Sequence, residues 1–223
     1  MIIPYVIFRD RSHAGLEVAS LVEHLRGEDC IVLAIPRGGV VVGYEVAKAL
    51  GCLMDVIVPR KIGAPGQPEL AIGAVSEDGS VYLDDYLVRL VGADQDYIDR
   101  VVESELAEIR RRVGVYRRGR PVPDVAGKVV ILVDDGLATG ATVLAAIRHL
   151  RGLGPRKIVV AVPVAARETV EKVRREADEV LSRHMPRDFY AIGQFYQSFE
   201  QLSDEEVMEL LTCVGLERDG GSG

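Results

Sequence analysis

Apolar residues along the chain follow two rhythms. Dense, largely β-branched runs occupy residues 30–35 (CIVLAI), 52–58 (CLMDVIV), 129–133 (VVILV) and 157–165 (KIVVAVPVA). Runs of this kind read as strands buried on both faces of a parallel sheet. Between them the spacing becomes helical. Residues 12–26 place Leu16, Val18, Ala19, Leu21, Val22 and Leu25 at helical intervals, with Ser12 as N-cap and Gly27 as stop. Further helices are expected over residues 40–50, ended by Gly51, and 94–112, with Ile98, Val101, Val102, Leu106 and Ile109 on one face. Others are expected over residues 142–151, ending near Gly152 or Gly154, and 167–177. A short strand follows at 179–181. Ser203 and Glu206 form a capping box before a last helix reaching about Cys213. Alternation of this kind predicts an α/β fold with a doubly wound, mainly parallel sheet flanked by helices.

Three stretches interrupt the alternation. Residues 62–70 hold Gly63, Pro65, Gly66 and Pro68 and read as a loop. The segments AIGAVS and SVYLDD flank Glu77-Asp78-Gly79 and suggest a hairpin. Residues 117–127, with Gly119, Pro121, Pro123 and Gly127, form a connection without a domain boundary. The 223 residues suit one domain over 1–216, with a core at about 30–165 and a tail at 217–223. The opening MIIPYVIF reads as a first strand, since no basic region or small-residue cleavage site accompanies it.

Composition narrows the class. With 48% hydrophobic and 27% charged residues the chain is expected to be globular, and no apolar run approaches membrane-spanning length. Cys30, Cys52 and Cys213 are odd in number and lack CxxC spacing, so neither a disulfide framework nor a zinc site is expected. A reduced, cytoplasmic setting follows. The net charge of −7 argues against nucleic acid as the main partner.

The chemistry concentrates in two loops. Asp134 and Asp135 stand at the carboxyl end of the 129–133 strand, where open α/β sheets bind ligands. Gly136, Leu137, Ala138, Thr139, Gly140, Ala141 and Thr142 then lead into a helix, as a phosphate cradle requires. Two adjacent acids repel unless hydroxyls or a cation occupy them, so a ligand carrying both a diol and a phosphate fits. After the 30–35 strand, Pro36-Arg37-Gly38-Gly39 lets backbone NH groups approach an anion and adds the charge of Arg37. Arg60 and Lys61 follow the 52–58 strand.

VVILVDDGLATGAT resembles the signature of the type I phosphoribosyltransferases, and PRGG resembles their pyrophosphate loop. The resemblance implies transfer of ribose 5-phosphate from 5-phosphoribosyl 1-pyrophosphate to a nitrogenous base, with magnesium, as in nucleotide salvage. It assigns the ribose hydroxyls, and magnesium directly or through water, to Asp134 and Asp135. The 5-phosphate falls to residues 136–142 and pyrophosphate to Arg37, Gly38, Gly39, Arg60 and Lys61. Asp134, Asp135, Arg37 and Lys61 would be catalytic, with no histidine required. A mobile lid is expected near the hairpin, a hood from segments near the termini, and assembly as a homo-oligomer. Members acting on 6-oxopurines usually carry an acid before the threonine, whereas this chain has Ala138, closer to the adenine-type version and suggesting a purine-like acceptor. Gly136 departs from the usual bulky apolar residue. More broadly, FRDR, PRGG, RKIGAP and the DDG-ATG motif resemble a group of bacterial and archaeal phosphoribosyltransferase-domain proteins whose acceptor is unassigned.

Two segments lie outside these motifs. Arg110, Arg111, Arg112, Arg117, Arg118 and Arg120 read as a solvated face near a helix end, with an oligomer contact or an anionic partner as the alternative. That alternative supports a second reading, a non-catalytic sugar-phosphate- or nucleotide-sensing regulator that reports to RNA or protein. A third, a sugar-phosphate hydrolase, has no dedicated nucleophile to recommend it. Phe189, Tyr190, Phe195, Tyr196 and Phe199 read either as a small second core or as a platform for a planar base. The 185–213 segment and the N-terminal FRDRSHAG are the places expected to form the hood.

Overall fold

The computed structural model describes residues 7–214. In chain order the elements are α1 (Arg11–Leu21), β1 (Cys30–Ala34), α2 (Gly38–Leu50), β2 (Leu53–Val56), β3 (Arg60–Ala64), β4 (Gln67–Val75), β5 (Val81–Leu83), α3 (Asp85–Val91), α4 (Gln95–Tyr116), β6 (Val129–Val133), α5 (Ala141–Gly152), β7 (Lys157–Val164), α6 (Arg167–Val173), β8 (Glu179–His184) and α7 (Asp204–Val214). Five strands form a parallel sheet in the order β2-β1-β6-β7-β8. The chain runs outward from β1 to β2 and returns to β6 on the other side of β1. That reversal makes the carboxyl ends of β1 and β6 the switch point of the sheet, where such folds open a crevice.

Burial follows the strand period of two. Val129, Ile131 and Val133 of β6 face one core with residues of α1, α2, α4 and α7. Val130 and Leu132 face a second core with α5 and α6. Every β6 residue is buried, which is why its sequence shows an apolar run rather than an alternation.

Several boundaries differ from expectation. Asp10, not Ser12, caps α1, accepting the His13 N–H at 2.8 Å, while Ser12 bonds Glu45 at 2.6 Å. The helix stops at Leu21 and a 3-10 turn carries the chain over Glu23–Leu25. The opening strand falls on residues 1–6, outside the described residues, apart from Ile7 and Phe8; residues 215–223, which include the tail, also lie outside. The capping box at α7 is present, Ser203 N–H to Glu206 at 2.7 Å and Glu206 N–H to Ser203 at 3.2 Å.

The larger correction concerns residues 62–70. They are not a loop: β3 and β4 form an antiparallel hairpin that β5 extends to three strands. The glycines and prolines are tolerated because the pairing shifts register at Ile62/Gly63 and Gly63/Ala64, and a bulged edge accommodates residues that a central strand would not. The hairpin expected around Glu77-Asp78-Gly79 is the β4–β5 turn.

Asp55 of β2 is 4% exposed. Burial pushes its carboxyl up to about 6, against the opposing pull of the Val56 N–H at 2.7 Å and the charges of Arg117 and Arg120. A folded-state value above the unfolded one stabilises the fold fully at low pH, and the contribution is lost as pH rises through about 6. The stability difference between the native chain and Asp55→Asn should therefore shift by about 2–3 kcal/mol in favour of the variant between pH 4 and pH 7.5. Urea unfolding at both pH values checks this, and a difference independent of pH would refute it.

Candidate active site

The two loops expected to carry chemistry meet at the switch point. Pro36-Arg37-Gly38-Gly39 leaves β1 and Asp134-Asp135 leaves β6, with β1 and β6 in register through Ala34 and Val133. The Ile35 N–H donates to the Val133 carbonyl at 2.9 Å, carrying the pairing one residue further. The Pro36–Arg37 peptide is cis. A β-carbon on Gly38 would overlap the Asp135 carboxylate, and one on Gly39 would stand 2.9 Å from both Asp134 Cα and the Val133 carbonyl oxygen. These glycines are thus needed to bring the loops into contact.

The acids do not stand free. Asp135 is 8% exposed. Its Oδ2 accepts from Arg11 Nε at 2.8 Å, its N–H donates to Asp134 Oδ1 at 2.8 Å, and its carbonyl accepts from the Tyr196 hydroxyl at 2.6 Å. Burial and the Asp135 charge hold the Asp134 carboxyl well above its ordinary value. Burial raises Asp135 as well, and the Arg11 guanidinium opposes that rise. The protein itself thus supplies one cation to the acid pair, Arg11 on Asp135. Arg11 was not among the residues singled out from the sequence; its signal was the FRDR segment, where Asp10 starts a helix that carries Arg11 inward.

Arg11 also joins the acids to the aromatic segment. Its Nη1 donates to the Glu200 carbonyl at 2.7 Å, and its guanidinium lies 3.8 Å from the Phe199 ring centre. Phe8, Phe195 and Tyr196 are buried together, with Phe189 and Phe199 packed beside them. Phe8 and Tyr196 form a parallel bridge that brings the N-terminal segment to the 185–213 segment. Most of these rings are used in packing against one another, while Tyr190 is 80% exposed. The unusual Gly136 also has a local cause: a β-carbon there would meet Ile192 Cγ2 at 2.6 Å. Ile192 fills the space a bulky residue would take.

The cradle after the acids divides into two parts. Leu137 is a core residue whose N–H donates to the Val164 carbonyl at 2.9 Å, so neither its side chain nor its N–H is open to a ligand. Thr169 donates to the Ala138 carbonyl at 2.5 Å. Gly140 caps α5 with φ +78°, a left-handed conformation that favours glycine. No side chain caps that terminus, leaving first-turn N–H groups directed outward as an anion site requires. Thr139 is exposed and Thr142 half-buried. Ala138, Thr139 and Ala141 border a cavity of about 220 Å³ that Tyr82 and Lys172 also line.

The remaining predicted cations point elsewhere. Arg37 lies 3.9 Å from Asp204 at the start of α7. Arg60 pairs with Glu105 of α4 at 2.7 Å, and Lys61 with Glu69 of the hairpin at 2.7 Å. Arg60 and Lys61 line a separate cavity of about 450 Å³ with Tyr97 and Arg100. They open the β3 strand instead of a loop, and their partners are α4 and the hairpin rather than the two loops of the switch point.

The phosphoribosyl transferase domain model matches residues 16–199. The chain belongs to this family. A Mycobacterium tuberculosis protein, provisionally named a phosphoribosyl transferase and present in two strains, is 44% identical over 205 residues. That match takes in 92% of this chain and 46% of the relative, so the chain spans about half the relative's length. The crystal structure of TT1426 from Thermus thermophilus is 45% identical, with a TM-score of 0.77 over 94% of this chain and all of that one. A uracil phosphoribosyltransferase of Acinetobacter baylyi is 46% identical over 59 residues, 26% of this chain and 28% of that protein. The family's fold agrees with the five-stranded parallel sheet flanked by helices. Among the described residues no helix is long and apolar enough to cross a membrane.

Proposed function

We propose that the chain transfers ribose 5-phosphate from 5-phosphoribosyl 1-pyrophosphate to a nitrogenous base and releases pyrophosphate. The observation that carries this reading is the contact of the glycine loop with the acid pair. It sets a donor-rich loop suited to pyrophosphate against carboxylates suited to a ribose diol, one turn from an uncapped helix amino terminus suited to the 5-phosphate.

Displacement at the anomeric carbon builds positive charge on the sugar and negative charge on the leaving group, so positioning and electrostatic stabilisation carry the reaction. Asp134 and Asp135 fix the ribose and favour the cationic sugar. The backbone N–H of Gly38 would receive the pyrophosphate, joined by Arg37 once it leaves Asp204, while the Gly39 N–H is held by the Ile35 carbonyl at 3.1 Å. Magnesium suits this donor set, since it takes one or two carboxylates together with substrate oxygens, and no larger cluster of acidic, histidine or cysteine ligands occurs among the described residues. Asp134 and Asp135 would hold it, directly or through water, with Asp135 sharing or exchanging its Arg11 partner, and it would offset charge on the leaving group. Arg60 and Lys61 would join the pyrophosphate only if the hairpin moved and their carboxylate partners were exchanged.

A purine-like acceptor is supported by Ala138, and the partial match to a uracil enzyme makes uracil the comparison base. The regulator reading loses support, because Arg111 and Arg112 pair with Glu108 and Arg117 is buried. The test is incubation with magnesium, donor and a panel of purines and pyrimidines, following pyrophosphate release and nucleotide formation. Nucleotide from one base is the expected result. Tight donor binding with no base reacting would replace the proposal with the regulator.

A further inference from the structure

Cys30 and Cys52 are far apart in sequence and adjacent in space. β1 and β2 pair in parallel with Ile31 opposite Leu53 and Ala34 opposite Val56. One step back along this register sets Cys30, the first residue of β1, beside Cys52, the residue before β2. Neighbouring strands lie ~4.8 Å apart, within the Cα separation that a disulfide spans. Both side chains pack against the same core and are half-buried.

We propose that Cys30 and Cys52 form a redox-active dithiol that closes to an intrachain disulfide by exchange with a small-molecule disulfide. The two cysteines have unequal roles. The adjoining Cys52 thiol holds the Cys30 thiol below its ordinary value, whereas Cys30 and burial push Cys52 up. Cys30 is therefore the attacking thiolate. It displaces one thiolate from the small disulfide and forms a mixed disulfide. Cys52 then gives up its proton and attacks the Cys30 sulfur, expelling the second small thiolate. Two protein thiols are oxidised, one small disulfide is reduced, and two small thiols leave. The bond ties the amino-terminal ends of β1 and β2, at the edge of the sheet opposite the carboxyl end of β1 that leads into Pro36-Arg37-Gly38-Gly39.

The test uses the full chain incubated with oxidised glutathione, then alkylated and peptide-mapped by mass spectrometry. The expected product is a Cys30–Cys52 linked peptide in most molecules, reversed by dithiothreitol, while the exposed Cys213 carries only glutathione. In Cys52→Ser, glutathione should accumulate on Cys30 at least fivefold above the native chain. Free, alkylatable Cys30 and Cys52 in the native chain would overturn the proposal, as would equal amounts of the Cys30 mixed disulfide in both proteins.

Discussion

Gly38→Ala is expected to lower donor affinity and donor-dependent turnover by roughly 10²-fold or more while leaving the fold intact. The new β-carbon would overlap the Asp135 carboxylate and stand 2.7 Å from Arg11 Nε. Asp135 cannot step aside cheaply, because Arg11 holds its carboxylate while its backbone N–H and carbonyl are fixed by Asp134 and the Tyr196 hydroxyl. The acid pair, or the loop facing it, must shift. The backbone has no reason to object, since Gly38 lies outside the left-handed region and alanine is the better helix former at the start of α2. Donor titration by calorimetry, read beside a thermal melt, separates loss of the site from loss of the fold. Unchanged donor affinity would remove the glycine loop from the donor site. Gly39→Ala makes a useful contrast, since its β-carbon meets backbone at Asp134 and Val133 and should cost stability as well.

Arg117→Met should destabilise the protein by about 3–5 kcal/mol, lowering the melting midpoint by roughly 10 °C. Arg117 follows α4 with a side chain 1% exposed, paired with Glu77 in the β4–β5 turn. Glu77 also accepts the Val58 N–H at 2.7 Å, so the pair ties the end of α4 to the strand edge and the hairpin. Removing the cation leaves a buried carboxylate uncompensated beside Asp55. Among the described residues the Arg117 Nε and Nη1 have no hydrogen-bond partner, so the pair is imperfectly satisfied and its value lies mainly in the cost of breaking it. The double variant Arg117→Met with Glu77→Gln should recover much of the loss. Urea denaturation of the single and double variants provides the measurement, and a loss below 1 kcal/mol in Arg117→Met would refute the account.

Arg117 also marks the boundary of what sequence can tell. As one of six arginines within eleven residues it reads as solvated, and Arg111 and Arg112 do pair with Glu108 near the surface. Position along the chain carries no sign that one member of such a cluster turns inward. The same applies to Cys30 and Cys52, whose neighbourhood depends on strand order, and to Arg11, which reaches an acid 124 residues away.

The sequence by itself determined the parallel strands, because residues buried on both faces must all be apolar. It determined the helices that follow them, and the residue types of the two loops at the switch point, because close backbone approach and oriented N–H groups demand glycine and a helix start. It misjudged β3 and β4, where a bulged edge tolerates the glycines and prolines that ordinarily signal a loop. Only the tertiary structure decided that Gly38 and Gly39 lie against the acids, that Arg11 pairs with Asp135, that Ile192 occupies the space above Gly136, and that Arg60 and Lys61 pair with carboxylates away from the switch point. Each of these is a contact between segments distant in the chain, and local pattern carries no information about which distant segments the packing brings together.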